Sequence, residues 1–168
     1  PRKLKSVASL FLSRVDTLVD KKLEGTGTEA ALALRGKAGV ATAKLAYRRY
    51  REIFHGAAFA DLAAAGVRPQ HPLWASTGTK NPQYSDVLYV EPLIGPETVN
   101  TMPDATLAAF RDHGRVGATL EQGVGDAEAH YRALEQAGID MRAVGEQLQA
   151  EGVKLFDDAF TKLLGLVA

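Results

Sequence analysis

Apolar and polar positions along the chain alternate between short continuous runs and helical stripes. "VASLFL" (7–12) is an unbroken apolar run between polar residues, the pattern of a strand buried on both faces. "DTLVDKKLE" (16–24) reads as a helix ending near Gly25. Thr28 is placed to cap "EAALALR", which stops at Gly36. Residues 38–55 carry the strongest helical signal: Val40, Ala43, Tyr47, Tyr50 and Phe54 recur at spacings of three and four, with Lys44, Arg48, Arg51 and Glu52 on the other side. "AFADLAAAG" (58–66) predicts a short helix closed by Gly66, and Pro69 and Pro72 then break the chain.

"LWAS" (73–76) predicts a second buried strand and "TVNTM" (98–102) a third. "DVLYVEPLI" (86–94) fits strand or helix equally, and Pro92 opposes a long element of either kind. Pro103-Asp104 opens the helix "ATLAAFRDHG", which Gly114 ends. "TLEQGVGD" (119–126) is loop-like, with Asp126 as an N-cap, and 127–137 and 141–164 are helical. In the last helix Met141, Val144, Leu148, Leu155, Phe156, Phe160 and Leu163 form an apolar stripe broken by Gly152. Strands alternating with helices imply a parallel sheet with crossover helices. Three strands suit either a small sheet under many helices or part of a larger (β/α)8 barrel, whose chemistry gathers at the C-terminal strand ends.

Composition narrows the functional classes. The chain has 168 residues, 46% of them apolar and 24% charged, with 20 basic and 20 acidic side chains and no cysteine. Disulfides, thiol nucleophiles and cysteine zinc sites are excluded, and no like-charge block marks a nucleic-acid binder. No apolar run reaches the roughly 20 residues of a membrane helix. "KLKSVASLFLSR" lacks the length and cleavage site of a signal peptide. The chain begins at Pro1 without a methionine, as a processed piece or an excerpt would.

The strand ends hold the candidate chemistry. Arg14 follows the first strand and suits either bidentate phosphate binding or an ion pair with Asp16 or Asp20. Ser76-Thr77-Gly78-Thr79-Lys80 follows the second strand and gathers hydroxyls, a glycine and a cation that can cradle an oxyanion, although it lacks P-loop spacing. Lys80 sits in a polar loop, which favours a charged anion anchor over a neutral nucleophile. The histidines at 55, 71, 113 and 130 have no metal spacing. His113 suits a helix C-terminus, and His71 precedes the second strand. Trp74 reads as core and Asp157-Asp158 as a solvated helix face.

Four segments, "SVASLFLSRVDTLVDKKL", "LALRGKAGVATAKLAYRRY", "WASTGTKNPQYSDVLYVEPLIGPETVNTMP" and "EQGVGDAEAHYRALEQAGID", resemble the C-terminal half of bacterial transaldolases, from about residue 5 to residue 165. "GVKLFDDAFTKLLGLVA" is similar to the type fused to glucose-6-phosphate isomerase. The resemblance implies an α/β fold, a single partial domain over 1–168: the C-terminal part, about strands 6–8 with helices, of a (β/α)8 TIM barrel of the class I aldolase type. It implies transfer of a dihydroxyacetone unit from sedoheptulose 7-phosphate to glyceraldehyde 3-phosphate through a lysine Schiff base. The products are erythrose 4-phosphate and fructose 6-phosphate, in the cytoplasmic pentose phosphate pathway. No cofactor, metal, nucleic acid or membrane is implied, and homo-oligomerisation stays open.

By the same resemblance Ser9 lines the substrate site, Arg14 binds the sugar phosphate and Ser76 lies near that phosphate. Many transaldolases carry an arginine soon after that serine. Here Lys80 stands as its replacement, beside Ser76 and opposite Arg14. The family's Schiff-base lysine and acid/base carboxylates precede strand six, so no catalytic residue is expected in this chain and it is expected to be inactive alone. The rival expectation is a non-catalytic anion-binding or oligomerisation module.

Overall fold

The computed structural model describes residues 4–167. The elements run β1 (Ser6–Phe11), α1 (Leu12–Thr26), α2 (Glu29–Leu32) and α3 (Ala38–Phe54), then a 3-10 turn at Ala57–Phe59 leading into α4 (Ala60–Ala64). There follow β2 (Gln70–Ala75), a 3-10 turn at Glu91–Leu93, β3 (Val99–Asn100), α5 (Asp104–His113), α6 (Val124–Gln136) and α7 (Met141–Val167). Thr28 caps α2 as its hydroxyl accepts from the Ala31 N–H, and Gly36 takes a left-handed φ of 71° just before α3.

The strands form one parallel sheet in the order β1-β2-β3, with Ser9 level with Leu73 and Leu73 level with Val99. One step along, Leu10 is level with Trp74 and Trp74 with Asn100. Alternation sends these two rows to opposite faces. The Leu10–Trp74 row lies in a core with Leu12, Tyr47, Tyr50, Tyr89, Leu93 and Leu120. The Ser9–Val99 row is largely bare, with Ser9 exposed and Val99 41% exposed. The expectation that β1 is buried on both faces is therefore corrected, because little packs closely on the Ser9 face of this sheet. A second core joins Val19 and Leu23 of α1 to Ala38, Leu134, Ile139 and Val144.

Three further expectations change, and at 86–94 no long element forms, as Pro92 indicates. Helix α1 starts at Leu12, directly off the strand, so Arg14 lies in its first turn and not in a loop. Residues 86–94 are mostly turn, with Pro92 inside a single 3-10 turn. Helix α6 starts from Gly123, whose left-handed φ of 65° suits glycine, and Asp126 falls in the first turn without capping. Lys44 is buried: its ammonium donates to the carbonyls of Thr119 (2.7 Å) and Gln122 (2.7 Å) and, at 3.4 Å, Leu120. No helix among the described residues is long and apolar enough to cross a membrane.

Candidate functional site

The C-terminal ends of β1 and β2 are stitched together where the backbone leaves the sheet. The Ser13 N–H donates to the Ser76 carbonyl at 3.2 Å, and Ser76 itself holds a left-handed φ of 51°, an uncommon state for a residue with a side chain. One residue on, Thr77 is fully buried and donates to the Thr101 carbonyl at 3.2 Å, while Thr101 returns its N–H to Trp74. Thr79 donates to the Ser85 carbonyl at 2.7 Å. Two hydroxyls that the sequence offers as an oxyanion cradle are therefore held by backbone carbonyls, where they shape the loop.

Ser9 and Arg14 meet in one cleft of about 480 Å³ at the end of β1. Its floor is Ser9, Phe11, Arg14 and Val15, and its wall comes from α7 through Leu148, Gln149, Gly152, Val153 and Phe156. The Arg14 guanidinium carbon lies 4.9 Å from the centre of the Phe11 ring, an arrangement that fixes the arginine by cation–π attraction. Among the described residues no carboxylate lies within 4.0 Å of Arg14. Asp16 and Asp20, the partners an ion pair would use, are engaged elsewhere. Helix α1 also has no acidic residue in its first turn and no side-chain cap. A free guanidinium thus stands in the first turn of a helix with no acidic side chain to oppose an anion, the electrostatics an oxyanion needs.

Lys80 lies elsewhere. It is exposed and lines a separate cleft of about 320 Å³ with Asp16, Asp20, Lys21, Glu24, Tyr84 and Tyr89. Asp16 accepts from the Gly39 N–H (2.9 Å) and the Tyr89 hydroxyl (2.7 Å), and Asp20 repeats the pattern with the Gly36 N–H (2.9 Å) and the Tyr84 hydroxyl (2.7 Å). Burial raises the Asp16 carboxyl above its usual range, against the hydrogen bond from Tyr89. Burial and the Asp20 carboxylate push the Tyr84 phenol up to about 12. Three carboxylates around Lys80 make that cleft unfavourable for an anion. Lys80 and Arg14, expected from the sequence to face one phosphate, line separate clefts in this structure.

The remaining candidates are settled locally. His71 lies inside β2 and pairs through Nδ1 with the Tyr50 hydroxyl at 3.1 Å. His55 pairs with Glu97, and His113 at the end of α5 pairs with Asp86 and Asp112. Trp74 is 1% exposed. No group of three or more His, Asp or Glu side chains among the described residues could hold a metal. A larger cleft, about 890 Å³ between α3 and α6, includes Lys44 and none of the strand-end candidates. Burial lowers the Lys44 pKa, but three carbonyls hold its ammonium.

Sequence reading missed the α7 wall and the paired Asp16 and Asp20 clamps. The clamps had a local signal, two aspartates four residues apart on one helix face. The wall had none, since Arg14 and Gly152 meet only through the tertiary fold.

Comparison with known proteins gives the chain's family. The family profile described as transaldolase/fructose-6-phosphate aldolase matches residues 2–167. A transaldolase of Thiobacillus denitrificans is 58% identical over 166 residues, which is 99% of this chain and 46% of that protein. Transaldolases of Mycolicibacterium smegmatis and Thermobifida fusca are each 52% identical, over 163 and 164 residues, covering 96% and 97% of this chain and 44% and 45% of theirs. The chain thus spans about half the length of the curated relatives it matches. On this profile and these identities, the chain belongs to the transaldolase/fructose-6-phosphate aldolase family.

Proposed function

We propose that this chain supplies the phosphate-gripping part of a transaldolase. The enzyme passes a dihydroxyacetone unit from sedoheptulose 7-phosphate to glyceraldehyde 3-phosphate and yields erythrose 4-phosphate and fructose 6-phosphate. The observation that carries this reading is the unpaired Arg14 beside Ser9 at the end of β1, in a cleft of its own. Arg14 takes the phosphate by two parallel N–H···O bonds, and the first-turn N–H groups of α1 add their dipole. Ser9 lines the same cleft and offers its hydroxyl to the sugar. Ser76 shapes the neighbouring strand end through its strained backbone. Lys80, among carboxylates, is left out of the phosphate site.

Gripping phosphate positions a sugar and supplies binding energy, but it does not break a carbon–carbon bond. That step needs an amine to form an iminium and a carboxylate to move protons. None of β1, β2 or β3 carries a lysine. In this reading the Schiff-base lysine lies outside these 168 residues, and no cofactor takes part. Borohydride reduction of the purified chain with fructose 6-phosphate, followed by peptide mapping, is expected to label no lysine. A label on Lys80 or Lys44 would place the reaction centre in this chain and overturn that division of labour.

A further inference from the structure

Helix α7 contains three glycines, and each weakens the helix relative to alanine. Gly145 and Gly165 face open space, and a Cβ there would touch nothing within 4 Å. Gly152 differs. A Cβ built on it would lie 4.0 Å from Nη1 of Arg14. It is also the last position of α7's packed face, which runs Met141, Val144, Leu148, Gly152 before the helix continues into exposure. The space its side chain would occupy opens onto the Arg14 guanidinium, within the cleft that Ser9 shares.

We infer that Gly152 is a specificity-determining position. Its missing side chain keeps the Arg14 guanidinium open to the phosphate monoester of a substrate, and a larger residue there closes the cleft to phosphorylated sugars. The inference rests on the phosphate role of Arg14 given above. It is not a claim about helix stability, since a larger aliphatic residue at 152 favours the helix. The geometry also grades the effect. Alanine adds a carbon at van der Waals distance from the guanidinium, while leucine reaches across it.

Two readouts on the 168-residue chain test this. The first is phenylglyoxal modification of Arg14, followed by peptide mass, which reports guanidinium access without any sugar. The second is titration with fructose 6-phosphate. Gly152→Leu is expected to slow Arg14 modification and to weaken fructose 6-phosphate binding, each by about tenfold or more. Gly152→Ala falls between it and wild type, and Gly145→Leu, the same change in open space, leaves both readouts unaltered. Far-ultraviolet circular dichroism confirms that the variants are folded. Unchanged Arg14 modification in Gly152→Leu would overturn the inference while leaving the phosphate reading intact. Slowed modification with unchanged sugar binding, or no saturable binding by the wild-type chain, would sink the phosphate reading and this inference with it.

Discussion

Lys44 shows how a single buried charge can organise a turn. Its ammonium donates to three carbonyls of the 119–122 segment and has no carboxylate partner among the described residues, so the turn acts as a ligand cage for a cation. Lys44→Met keeps the apolar stem and strands the carbonyls, which is expected to lower unfolding free energy by about 2–4 kcal/mol in urea titration. The histidines give a pH signature. Asp86 and Asp112 raise the His113 pKa above 6.5, while burial and then Lys37 lower that of His130. The His113 contribution to stability is full below pH 6.5 and is lost as pH rises through its folded pKa. The His130 contribution is full above pH 6.5 and is lost as pH falls through its folded pKa. Two-dimensional NMR titration should show His113 titrating above 6.5 and His130 below it; the reverse order would refute both environments.

Among the elements, α7 divides into two parts. Val144 is buried and Leu148 and Gly152 are half-buried, but Val153, Phe156, Phe160, Leu163 and Val167 are all at least 55% exposed. The second part buries little within this chain, so deleting residues 153–168 is expected to shift the unfolding free energy by less than about 1 kcal/mol in urea. A loss of several kcal/mol would mean that this stretch packs on the domain. The deletion also removes Phe156 from the Arg14 cleft, and it is offered only as a measure of stability. The sequence made α7 legible as a helix, because its apolar stripe repeats at three and four. It did not show that half of the stripe is bare, because periodicity reports a face and not what covers it. For β1 the same limit applied: an unbroken apolar run implies burial on both faces, yet Ser9 is exposed, with only an open cleft between its row and α7.

At the largest scale the described residues form a parallel three-stranded sheet packed with helices, and the candidate phosphate site lies at its C-terminal edge, the edge where α/β enzymes place their sites. The alternation of strand and helix, and the positions of Arg14 and Ser76 at strand ends, were legible in the chain order. The separation of Lys80 from Arg14 was not. It depends on the Asp16 and Asp20 clamps, which tie the loop after β2 to α1 through Tyr89 and Tyr84. The central claim is that phosphate is held at Arg14 and not at Lys80. Its most direct test is a titration of the 15N-labelled chain with fructose 6-phosphate, followed by NMR. Saturable shifts centred on Ser9, Arg14 and Val15 are expected. Arg14→Ala should weaken binding more than about tenfold, and Lys80→Ala should leave it near wild type. Binding that survives Arg14→Ala and is lost in Lys80→Ala would contradict the account.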